Sequence, residues 1–136
     1  MAAQTKIAVV VRKDLAAWQR LNVTAFLTSG ITAANPGLVG EPYADADDVG
    51  YLPLLGEPVL VYAATTEGLK QVHRKALDRE LRLAVYTADM FRTGNDEDNR
   101  AAVRAVSTAD LDLVGVALHA GRNAVDKVCK GLSLHP

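Results

Sequence analysis

The 136-residue sequence has little of several things: one cysteine, one tryptophan, two phenylalanines, and almost no net charge, with 15 Lys+Arg against 16 Asp+Glu. A single thiol excludes a disulfide framework within the chain. A formal net charge of −1 argues against broad nucleic-acid binding, which normally leaves a clear basic excess. No apolar run approaches the roughly 18 residues a membrane helix needs. The first such run, Ile7 to Val11, is far too short for a signal core, and Met1 to Lys6 has no basic region leading into a long apolar stretch. With the unpaired Cys129, these absences lead us to expect a cytoplasmic protein with no membrane partner.

What is present suits one domain spanning 1–136. The chain is 49% hydrophobic, and at this length about two-thirds of the unfolded surface is buried on folding, with no metal or disulfide staple needed. Ile7-Ala8-Val9-Val10-Val11 reads as a strand buried on both faces. From Gln19 to Ala34, apolar Val23, Phe26, Leu27, Ile31 and Ala34 share one helical face, where Gly30 allows close backbone approach. Val59 to Ala63 reads as a second strand. A helix follows, capped by Thr65 or Thr66, with Leu69, Val72, Ala76 and Leu77 inward, ending near Glu80. Leu83 to Tyr86 is a third strand and Asp89 to Gly94 a turn. Asn99 to Val106 is a short helix, Leu113 to Leu118 a fourth strand, and a last helix begins near Arg122. Strands alternating with helices predict an α/β fold: three α/β/α layers around a four-stranded, mixed or mainly parallel sheet.

Residues 35–58 interrupt this alternation. The segment holds four of the five prolines, four of the ten glycines, and five acids with no Lys or Arg, a local charge of −5. Such a long acidic Pro/Gly-rich insertion inside a small domain is usually functional or mobile. Its apolar run Tyr51 to Leu55 is expected to pack back onto the domain.

Common chemical motifs are missing. No Gly-rich phosphate loop follows the first strand, no G-x-S-x-G elbow occurs, and His73, His119 and His135 are too far apart for a zinc pattern. No cofactor and no metal are expected. Asp89-Met90-Phe91-Arg92-Thr93 lies at a strand end, where open α/β sheets place ligands. There Asp89 could act as base or orienter, Arg92 as anion clamp and Thr93 as hydroxyl donor. Equally, Asp89 could cap a turn and pair with Arg92. A second cluster joins Arg12, Lys13 and Asp14 to Trp18, Arg20 and Asn22. His119 could enter a site at the end of the fourth strand. The run Asp96-Glu97-Asp98 lacks calcium-loop spacing and reads as solvated surface. Cys129, on an apolar helix face, reads as a core residue.

In order along the chain, these residues resemble the type II peptidyl-tRNA hydrolases. Lys6 to Leu15 is similar to that family's opening strand and V-R-x-D-L motif. Tyr86 to Thr93 resembles its D-x-G-R-T turn, and Leu113 to Val116 with Ala124 to Val128 resembles its last strand and helix. The resemblance implies a catalytic Asp89 with Thr93, hydrolysis of an ester linkage, and a homodimer. The chain departs from that pattern where Ala16 to Thr28 lacks the family's glycines, lysine, glutamine and histidine, and where Phe91 replaces the turn glycine. Trp18 to Val23, Gly37 to Gly40 and the Asp45 region resemble instead a bacterial family of small proteins of unknown function, domain of unknown function 2000 (DUF2000).

The reading that follows is a small-ligand binder at the strand ends near Asp89, with Arg12, Asp14, Trp18, Arg20, Asn22, Phe91, Arg92 and His119 as ligand contacts. Efficient peptidyl-tRNA hydrolysis is not expected, because tRNA affinity comes largely from Lys and Arg neutralising phosphates. An acidic loop beside the site would also repel a polyanion. Two alternatives stand: a divergent hydrolase of an ester-linked substrate using Asp89 and Thr93, and a non-catalytic homo-oligomeric structural protein.

Overall fold

The computed structural model describes residues 4–136, so the first three residues of the N-terminal segment weighed above lie outside it. In chain order the main elements are β1 (Thr5–Arg12), α1 (Ala17–Ala34), β2 (Tyr43–Ala44), β3 (Gly50–Tyr51), β4 (Val59–Ala64), α2 (Thr66–Asp78), β5 (Leu83–Thr87), α3 (Asp96–Arg104), β6 (Leu113–Gly121), α4 (Arg122–Val128) and β7 (Ser133–Leu134). The β-branched run forms the middle of the sheet, and Ile7 to Val11 are completely buried.

The sheet has five strands in the order β5-β6-β1-β4-β7. The expected four are joined by β7, a two-residue strand from the tail that pairs with Tyr62 and Ala63 at the edge of β4. Of the two arrangements expected the sheet is the mixed one, not the mainly parallel one: β1–β4 is parallel, whereas β1–β6, β5–β6 and β4–β7 are antiparallel. The cause lies between β5 and β6. A parallel return needs a crossover helix laid over a face of the sheet. α3 instead packs against the 3₁₀ turn Ala88–Arg92 at the end of β5, so the chain re-enters beside β5 in the opposite direction.

α1 covers one face and α2 with α4 the other. Along β1 the side chains alternate: Ile7, Val9 and Val11 join the α1 core, and Ala8 and Val10 the α2/α4 core. Val23, Leu27 and Ile31 of α1 are buried as the periodicity predicts, but Phe26 is 53% exposed and Ala34 is exposed. Phe26 leans over the sheet edge to meet Tyr86 edge-on, with ring centroids 5.9 Å apart. Gly30 does approach closely, with Ala84 Cβ 3.4 Å from where its own Cβ would be. On α2, Leu69, Val72 and Ala76 are buried, whereas Leu77 faces outward. Thr65 caps this helix, accepting a hydrogen bond from the Gly68 N–H at 3.1 Å. α3 starts three residues earlier than the apolar pattern predicts. Asn95 caps it by accepting from the Asp98 N–H at 2.8 Å, and the Asp96-Glu97-Asp98 run occupies its first turn, where the helix dipole favours acid.

Residues 35–58 form an arm. At its base Gly40 N–H donates to Leu54 O at 2.8 Å and Gly56 N–H to Leu38 O at 2.7 Å, so the two limbs run together as a ribbon. β2 and β3 pair beyond this base, and the tip is a turn built on Asp45. The Tyr51 hydroxyl donates to Asp45 Oδ2 at 2.7 Å, and the Val49 and Asp47 N–H groups donate to Oδ1. These bonds, the Tyr51 one foremost, hold the Asp45 carboxyl below its ordinary range. The expectation that Tyr51 to Leu55 packs back holds for Leu55 and, in part, for Pro53. Tyr51, Leu52 and Leu54 stand exposed because the ribbon leaves the body before they are reached.

Candidate functional site

β1, β4 and β5 end on the same side of the sheet, and the segments leaving β1 and β5 build the candidate site. Tyr86, the penultimate residue of β5, is buried, and burial raises its phenol above the ordinary range. The 3₁₀ turn then swings Phe91 back so that its ring lies 5.3 Å from Tyr86 and 6.1 Å from Trp18 on the first turn of α1. With Phe26, four aromatic rings separated by up to 73 residues form one chain of contacts, all at tilted or edge-on angles typical of aromatic pairs. They flank a groove of about 580 Å³ between α1, β5 and the start of α3. Asn22 lines the α1 side. Thr93, Asn95 and Asn99 line the opposite side, below the Asp96 corner of α3. The Thr93 hydroxyl is bonded to the Met90 carbonyl at 2.9 Å and to the Asn99 amide.

Of the residues singled out in the sequence, the structure brings Trp18, Asn22, Phe91 and Thr93 together in this groove. Asp89 and Arg92 pair with each other on the outer side of the turn and do not line it. Arg12 is held by Asp14 at 2.6 Å and reaches Asp112 at 3.4 Å, while Arg20 donates to the Lys13 carbonyl at 3.5 Å. His119 lies at the other end of the sheet: because β6 is antiparallel to β5, Leu118 sits opposite Leu83, at the start of β5. It lines a separate hollow of about 360 Å³ with Gly30, Ala34 and Leu83.

The acidic arm is also rooted away from this groove. Val59, which follows it, sits opposite Ile7 near the start of β1, and the arm's base rests on Thr28 and Thr32 in the second half of α1. The expected acidic loop beside the site is therefore replaced by one whose root is at the far end of α1.

Residues not singled out in the sequence also line the groove, notably Tyr86, Asn95 and Asn99. Asn95 was findable, since an Asn directly before a run of acids is a helix-start signal. Tyr86 looked like an ordinary strand residue. Cys129 is buried, and burial, aided by Asp126, pushes its thiol up to about 11, the state of an inert core cysteine. Among the described residues no three His, Cys, Asp or Glu side chains gather as a metal-ligand set, and no helix is long and apolar enough to cross a membrane.

Fold and groove together define a small mixed α/β protein with an aromatic cleft at the strand ends. The family model described as "Protein of unknown function (DUF2000)" matches residues 5–136, and the chain belongs to that family. It is similar to a solved structure of a protein of unknown function from Agrobacterium tumefaciens strain C58, with 44% identity over 99% of this chain and 100% of that one, and a TM-score of 0.97. No curated protein matches the chain.

Proposed function

We propose that the chain is a non-hydrolytic binder of a small, flat organic molecule in the aromatic groove. The observation that carries this reading is the groove itself. Its volume of about 580 Å³ falls within the ~300–1,000 Å³ of small-molecule sites. Aromatic rings with a few amides among them are the usual composition of such sites.

The arrangement of the turn residues supports binding over hydrolysis. A general base must lie within hydrogen-bond reach of the proton it removes. Asp89 is engaged by Arg92 outside the groove, and the Thr93 hydroxyl is occupied by Met90 and Asn99. The V-R-x-D-L and Tyr86-to-Thr93 segments nevertheless support a scaffold like that of the type II peptidyl-tRNA hydrolases, adapted to a smaller ligand. Loss of that family's lysine-bearing stretch, together with a net charge of −1, weighs against a tRNA substrate.

The only tryptophan in the chain lines the groove, so its fluorescence is a built-in reporter. A small-molecule library screened by thermal shift and by Trp18 emission is expected to yield a ligand. Its stabilisation should disappear in Phe91→Ala and Asn99→Ala and persist in Asp89→Ala. Turnover of peptidyl-tRNA that depends on Asp89 would sink the proposal.

A further inference from the structure

Two surfaces of the chain carry large apolar side chains that the chain itself covers only in part. The first is the outer face of α1. Arg20 is the only charged residue in the eighteen of this helix, and Leu21 (72%), Trp18 (62%) and Phe26 (53%) are largely exposed, although Trp18 and Phe26 each touch one ring of the groove. A surface helix ordinarily turns charged residues outward. The second is the arm. Every residue from Gly40 to Leu52 is exposed, and Leu52 reaches 84%. A lone two-stranded hairpin is marginal in water, and one carrying exposed Tyr43, Tyr51, Leu52 and Leu54 is more so.

We propose that these surfaces cover one another between two copies of the chain related by a twofold axis. α1 packs antiparallel against the other copy's α1, and each arm lies along the N-terminal half of that second helix. Area supports the pairing. The exposed large hydrophobics of the two surfaces leave on the order of 900 Å² in water, taking about 150–250 Å² for a whole large side chain, against about 800 Å² per partner in a standard interface.

Charge then selects the orientation. The arm carries −5 and is rooted at the C-terminal half of its own α1. Parallel helices would set one acidic arm against the other. Antiparallel helices set each arm beside the partner's α1 N-terminus, the positive end of its dipole. Lys13 and Arg20 flank that end, and neither has a carboxylate partner among the described residues, whereas Arg12 is held by Asp14 and Asp112. Opposite charge across an interface fixes register and speeds encounter. Contact with Trp18 would also bring the partner's arm to the mouth of the aromatic groove. The dimer itself requires no ligand.

Sedimentation of the full chain at micromolar concentration tests this. The wild type is expected to be a dimer whose dissociation constant rises with salt. Leu21→Glu and Leu52→Glu, both at exposed positions, should each give a folded monomer by circular dichroism and weaken association at least tenfold. A monomeric wild type, or a dimer that survives both substitutions, overturns the proposal. A second measurement needs no variant: carboxyl-to-amine crosslinking of mixed isotopically light and heavy wild-type protein. Crosslinks from Lys13 to Asp47 or Asp48 that join light to heavy chains are expected. Their absence while other light-to-heavy crosslinks form overturns the arrangement.

Discussion

A Cβ placed on Gly115 would stand 2.6 Å from Val23 Cγ1 and 2.9 Å from Leu27 Cδ1, nearer than real Cβ atoms come. Both neighbours are core residues of α1, with little room to retreat, so this glycine sets how closely α1 seats on β6. Gly115→Ala is expected to cost about 1–3 kcal/mol as overpacking, read as a lower midpoint in urea with an unchanged slope. At the same scale, Asp89 and Arg92 show how far single residues can be read. Their spacing of three allowed either a pair or a catalytic role, and the pairing is what the turn brings about. The groove, by contrast, depends on Trp18 and Phe91, which carry no mutual signal along the chain.

At the scale of elements, α3 differs from the other helices. It has no fully buried residue, and it packs chiefly on the turn after β5. Its start therefore rests on local bonds: the Asn95 cap and acids in the first turn. Removing a cap costs ~1 kcal/mol, and here that cost is expected to fall on local opening. Asn95→Ala should speed amide hydrogen exchange across 98–104 roughly fivefold while leaving β1 and β6 amides unchanged. Equal acceleration throughout would show that α3 opens only with the whole domain. α2 and the arm show the same contrast in legibility. The Thr65 cap and the inward Leu69, Val72 and Ala76 follow from pattern alone. The arm has turn residues but no period, and its hairpin comes from the Asp45 turn and limb-to-limb bonds that no spacing announces.

At the scale of the molecule, β1 and β6 contribute residues to both cores, since Ile7 and Ala117 face α1 while Ala8 and Val116 face α2 and α4. Neither core can come apart while the other keeps those strands. Equilibrium unfolding is therefore expected to show one transition, with coincident midpoints for Trp18 emission and far-ultraviolet circular dichroism. Separate midpoints would mean that the α1 layer detaches first.

By itself the sequence determined the existence and type of nearly every large element, the layered α/β class, the strand core at Ile7 to Val11 and the burial of Cys129. These follow from the period of apolar residues, from caps and from turn residues, all of which act within a few residues. Only the tertiary structure decided the direction of β6, and with it the placement of His119 at the far end of the sheet from Asp89. It also decided that Trp18, Phe26, Tyr86 and Phe91 share one groove, and that the acidic arm is rooted away from it. Strand direction depends on whether a connecting helix crosses the face of the sheet or packs at its edge. That choice is made by contacts between residues distant in the chain, where local pattern has no reach.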